Sequence, residues 1–102
     1  MRIIKPRRIA EFAKIYPTAK SGLEHWLICA KAAQWDHLID VRRTFPHADE
    51  VRVKSRRTVV VFNIKRNDYR LITAIHYNLE KVFVLMFMTH AEYDKDHWKD
   101  QL

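Results

Sequence analysis

A chain of 102 residues that is 48% hydrophobic is long enough to bury one core and too short for two, so a single domain over residues 1–102 is expected. The lone cysteine, Cys29, excludes an internal disulfide framework, and the longest apolar run, Val82 to Met88, is too short to span a bilayer. Nineteen Lys and Arg against twelve acids give a formal charge of +7, which favours polyanions over anionic membranes and makes nucleic acid the first partner class.

In chain order, Ile3-Ile4 predicts a short strand or extended arm. Pro6 then opens a helix whose apolar face is Ile9, Phe12, Ala13 and Tyr16, ending at Tyr16-Pro17. Thr18 or Ser21 can cap a second helix, Ser21 with Glu24 as a capping box, and Leu23, Trp26, Leu27 and Ala30 recur at helical spacing toward Trp35. Asp36 is the expected cap of a short third helix through Leu38, Val41 and Arg42, ended by Phe45-Pro46.

From Glu50 the period changes to that of strands. Val51 and Val53 alternate with Arg52 and Lys54 as on an edge strand, Val59 to Ile64 is β-branched, Tyr69 to Tyr77 alternates in part, and Val82 to Met88 is apolar throughout. Lys65 to Asp68 and Asn78 to Glu80 are short enough for antiparallel turns, with Asn67 and Asn78 the expected left-handed residues. The result is an α+β fold: two or three N-terminal helices on one face of a mostly antiparallel sheet of four to five strands, the other face concave. A short C-terminal helix capped by Thr89, with Glu92 at its third position, and a loosely packed, polar Lys95 to Leu102 complete it.

Two groups of residues can carry chemistry. On the strand from Tyr69, the pleat puts Arg70, Ile72, Ala74 and His76 on one face. Arg70 reads either as a fork for phosphate that would steady a pentacovalent phosphorane, or as a surface partner of Asp68 or Glu80. His90 and Tyr93 follow the last strand one helical turn apart, as a proton-transfer pair with Tyr93 also a base-stacking platform, or simply as a polar helix start in which Glu92 and Asp94 complement the dipole. The six histidines form no HxxxH pair and Cys29 has no CxxC companion, so neither metal nor other cofactor is expected. Cys29, Trp26, Trp35, Phe12 and Phe62 read as core.

Thr58 to Asp94, with Phe62-Asn63, Asn67, Tyr69-Arg70-Leu71 and Thr89-His90-x-Glu92-Tyr93-Asp94, resembles the HigB-type toxins of type II toxin–antitoxin modules, in the RelE-like superfamily. The resemblance implies a cytoplasmic, metal-independent endoribonuclease that cuts mRNA, usually on the translating ribosome, by attack of the 2′-hydroxyl on the adjacent phosphate. It implies Arg70, His90 and Tyr93 as catalytic residues, Lys54, Lys65, Arg66 and Asn67 as RNA contacts, and Asn63 and Asp94 as support. A helix-turn-helix antitoxin would neutralise it, and DNA would be met only through that antitoxin. The pattern departs from the family at Arg66, where glycine is usual, and at Leu85, where arginine is usual. The alternative implied by Leu85 is an RNA-, ribosome- and antitoxin-binding module of the same fold with weak or no catalysis.

Overall fold

A computed structural model describes residues 1–102. Five strands, β1 (Arg2–Ile4), β2 (Asp49–Arg52), β3 (Thr58–Ile64), β4 (Tyr69–His76) and β5 (Lys81–Thr89), lie in the order β1-β5-β4-β3-β2. Every neighbouring pair is antiparallel except β1 with β5, because β1 returns through the helices whereas β2 to β5 are joined by short turns. The helices are α1 (Arg7–Ile15), α2 (Lys20–Ala32), α3 (Leu38–Thr44) and α4 (His90–Asp94), with 3₁₀ turns at Pro17–Ala19, Tyr77–Leu79 and His97–Gln101. The expected α+β architecture is present, and the β2 edge falls where its alternating charges placed it.

One face of the sheet carries the main core. Leu23, Trp26 and Ala30 of α2 and Ile9 of α1 pack on Val60, Phe62, Leu71, Val82 and Val84, with Trp26 edge-on to Phe62 at 5.4 Å. A second aromatic group, Phe12, Tyr16, Tyr69 and Phe87, links α1 to β4 and β5. Gly22 is where α2 comes down on the end of β3. A Cβ there would lie 2.9 Å from Ile64 Cγ2 and 3.2 Å from the Lys65 backbone nitrogen, so this close approach requires glycine.

Several local expectations are corrected. Ser21 and Glu24 form no capping box, since the Pro17–Ala19 turn runs directly into α2, whose N-cap is Ala19. That helix stops at Ala32, and Trp35 reaches the core from the following loop. His37 precedes α3 as its N-cap, while the Asp36 N–H donates to the Asp40 carboxylate. Cys29 is half-buried rather than enclosed, because it lies beside, not on, the apolar stripe of α2.

The largest correction concerns the other face of the sheet. A second apolar cluster, Val53, Val59, Val61, Ile72 and Met88, is covered by Trp98, which is only 3% exposed. The terminal stretch is therefore not loosely packed. Asp96, in a left-handed conformation, turns the chain back after α4 and lays His97–Gln101 across the sheet, and the Lys54 N–H donates to the Lys99 carbonyl. One indole supplies enough apolar area to fix a segment that is otherwise polar.

Candidate active site

The turn between β3 and β4 builds the site. Lys65 and Arg66 both have positive φ, 52° and 59°, so the left-handed residues are these and not Asn67; Glu80 (φ 54°), not Asn78, has that role before β5. L-residues adopt such angles at a cost of about 1–2 kcal/mol each. Asn67, though exposed, presents its carbonyl and side-chain oxygen toward Arg70 and His90 as acceptors.

Arg70 uses those acceptors. Its Nη1 donates to the carbonyls of Asn67 (3.0 Å) and Tyr69 (3.1 Å), and its Nη2 to Asn67 Oδ1. His90 Nδ1 lies 3.4 Å from Nη2 and 3.0 Å from the Asn67 carbonyl. Arg70 is 8% exposed, and neither Asp68 nor Glu80 pairs with it; Asp68 faces Lys65 instead. A buried cation normally sits against a carboxylate. Here the protein partners are neutral carbonyls, an amide and rings, so the charge is held in place without being cancelled.

His90 begins α4, with its N–H on the Asp68 carbonyl. Its Nε2 is 2.7 Å from Asp94 Oδ2 and its Nδ1 faces the Asn67 carbonyl, so the ring is held between these two partners. Tyr93, one turn on, stands against the Arg70 guanidinium at 5.4 Å and stacks on Trp98 at 5.2 Å, with an 18° interplanar angle. Burial first, and then the negative charge of Asp49, raise the Tyr93 hydroxyl above its ordinary pKa, with Arg70 opposing. The phenol is thus kept protonated, and its ring is engaged by Trp98.

Thr89 caps α4 in the expected capping box. Its hydroxyl accepts from the Glu92 N–H at 3.2 Å, and Glu92 Oε1 accepts from the Thr89 N–H at 3.1 Å. The Thr89 backbone N–H, with its hydroxyl next, holds the Glu92 carboxyl below its usual range. Ionised Glu92 is therefore the form the fold prefers. Its contribution to stability is complete above the ordinary carboxylate range and disappears as pH falls through the lowered folded value. We expect the urea midpoint to fall on acidification through that window. In Glu92→Gln, whose amide can still close the box, this part of the decline should be absent.

An open depression of 430 Å³ brings Asn63, Arg70 and Tyr93 together with Arg42, Pro46, His47, Ala48, Asp49 and Val61. Lys65, Arg66 and Asn67 stand in the turn behind Arg70, and Lys54 lies in the β2–β3 connection, outside the depression. Leu85 is elsewhere. The pairings Ile72 with Met86 and Thr73 with Val84 leave it as the extra residue of a β-bulge, and it lines a separate, apolar cavity with Arg57, His76, Phe83 and Leu102. No grouping of three or more His, Cys, Asp or Glu is arranged to hold a metal ion, and no helix is long and apolar enough to cross a membrane.

Arg42, His47 and Asp49 were not anticipated. Their signal is tertiary: Asp49 pairs with Val61 and Asn63 with Arg70, and the Phe45–Ala48 turn that leads into β2 brings His47 to the same depression as Asn63. Sequence spacing alone hides a neighbour relation made by two successive strand pairings.

Residues 19–96 match the family described as HigB_toxin, RelE-like toxic component of a toxin-antitoxin system. Over 95 residues, covering 93% of this chain and 90% of the relative, the sequence is 30% identical to the mRNA interferase HigB of Escherichia coli O6:H1, strain CFT073.

Proposed function

The chain belongs to the HigB family of RelE-like toxins of toxin–antitoxin systems, and from that membership we propose that it is a metal-independent endoribonuclease that cuts mRNA on translating ribosomes. The observation that carries this reading is Arg70, a buried guanidinium with no carboxylate partner at the wall of an open depression. A phosphodiester is the anion such a site suits, and the charge that grows on the phosphorane during cleavage is what a fixed cation stabilises. The 2′-hydroxyl attacks the adjacent phosphate, Arg70 faces the phosphorane oxygens, and Tyr93 donates toward the leaving oxygen. His90, braced between Asn67 and Asp94, shares in proton transfer or positions Arg70. Asn63 supports the floor, and Lys54, Lys65, Arg66 and Asn67 guide the RNA backbone. A helix-turn-helix antitoxin neutralises the toxin by covering this depression or by barring entry to the ribosome, and meets DNA on its behalf. All of this takes place in the cytoplasm.

The test compares one end-labelled transcript with and without translating ribosomes. Cleavage only during translation is the expected result; an intact transcript in both arms overturns the reading. A second reading is favoured by Leu85, which leaves the bulge of β5 without the family's arginine. It is a binding module without catalysis, and it predicts salt-sensitive ribosome binding with no cut.

A further inference from the structure

The proposed cleavage names an acid, Tyr93, and no base within the depression. Something must take the proton of the 2′-hydroxyl, and the group must stand in the depression with Arg70 and Tyr93. His90 does not line it, and both its ring nitrogens already face Asn67 and Asp94 at 3.0 and 2.7 Å. Asp49 lines the depression, but it sits 3.8 Å from Arg42 Nη2. Arg42 itself is anchored by its Nε, which donates to the Ala48 carbonyl at 3.0 Å. His47 is the titratable side chain in the depression that is exposed and makes no hydrogen bond or ion pair within the chain.

We propose that His47 is a further catalytic residue, the base that accepts the 2′-hydroxyl proton across the depression from Arg70 and Tyr93. This inference rests on the nuclease reading above. The loop that carries His47 is well fixed for the task. Phe45, one side of it, packs on Phe62 and Trp35 at 5.2 and 6.1 Å; Pro46 restricts the backbone; and buried Ala48 accepts from Arg42 on the other side. The imidazole is thus held between two anchored neighbours while its ring stays free, and imidazole exchanges protons near neutrality.

The step balances without a co-reactant. The 2′-oxygen loses its proton to His47 and forms a bond to phosphorus. The bond from phosphorus to the 5′-oxygen breaks, and that oxygen takes a proton from the Tyr93 hydroxyl. The products are a 2′,3′-cyclic phosphate and a 5′-hydroxyl, after which solvent removes the proton from His47 and returns one to Tyr93. The charged and titratable groups that share the depression with His47 are Arg42 from α3, Asp49 from β2, Arg70 from β4 and Tyr93 from α4.

The experiment uses the full chain and its His47→Gln variant. Single-turnover cleavage of a transcript on translating ribosomes should fall by about a hundredfold or more in the variant, with KM little changed, an unaltered unfolding midpoint, and loss of the acidic limb of the rate–pH profile. In parallel, the ring resonances of His47 should move when the parent is titrated with an oligoribonucleotide 2′-O-methylated at every sugar, which offers the RNA backbone without a 2′-hydroxyl to attack. A variant that keeps the parent's rate and acidic limb overturns the inference alone. Unmoved His47 resonances overturn it whatever the parent's activity, and movement in a parent that cuts nothing overturns both the role of His47 in proton transfer and the nuclease reading.

Discussion

Arg70→Ala should lower cleavage of a translated transcript by a factor of about 10² to 10³, the cost of losing one preorganised donor at a developing oxyanion. Arg70→Lys separates two contributions. It keeps a cation but not the planar fork that reaches Asn67, Tyr69 and the depression at once, so its rate should lie between those of the alanine variant and the parent. Stability should move much less than activity. Removing the guanidinium leaves Asn67 Oδ1 without its donor, a cost of about 1–3 kcal/mol if water cannot replace it, yet it also removes a buried charge that has no counterion. Urea unfolding beside the cleavage assay reads both quantities. An alanine variant as active as the parent would remove Arg70 from the chemistry.

Trp98→Ala is expected to be the most destabilising single change on the sheet's second face, at about 3–5 kcal/mol. That is a large share of the roughly 5–15 kcal/mol by which a small domain is stable. The indole covers Val53, Val59, Val61, Ile72 and Met88, donates to the Tyr93 carbonyl at 3.1 Å and stacks on the Tyr93 ring. Losing it opens the cluster and frees the tyrosine. Trp98→Phe keeps a ring on Tyr93 and should recover most of the stability, with a residual deficit from the smaller area and the lost N–H donor. Denaturant midpoints of the two variants decide the matter; equal midpoints for Trp98→Ala and the parent would mean that the terminal segment is not part of the folded core.

The strands and the helical core were legible in the sequence from local patterns. Val59 to Ile64 and Val82 to Met88 read as strands because they are short β-branched or apolar runs bounded by turn residues, and Leu23, Trp26 and Ala30 read as one helix face from their spacing. The capping box of α4 was legible for a different reason, since Thr89 and Glu92 satisfy each other locally. What escaped was decided by tertiary contacts. Lys65 and Arg66 are not residue types that favour left-handed backbone, and apart from the family's usual glycine at position 66 the sequence carries no mark of it; the two positive φ values accompany the Asn67 acceptors that Arg70 uses. Trp98 is an isolated aromatic with no period around it, and its weight comes from the five residues it covers. Of the site, Arg70, His90 and Tyr93 could be named from local spacing, and the structure sets them within reach of one another. Arg42 and His47 reach the depression from before β2 and Asp49 from its first position, through tertiary neighbours that a linear reading does not add up.

The turn at Lys65 and Arg66 bears on how this protein would respond to selection in the laboratory. Both positions hold residues that glycine would outdo on backbone grounds alone, so a screen for thermal tolerance should enrich glycine there. Each such replacement would also remove a cation from the turn that precedes Arg70 and loosen the loop that carries Asn67. Variants ranked by robustness and variants ranked by toxicity should therefore diverge at these two codons, and the divergence would locate where the molecule gives up durability for potency.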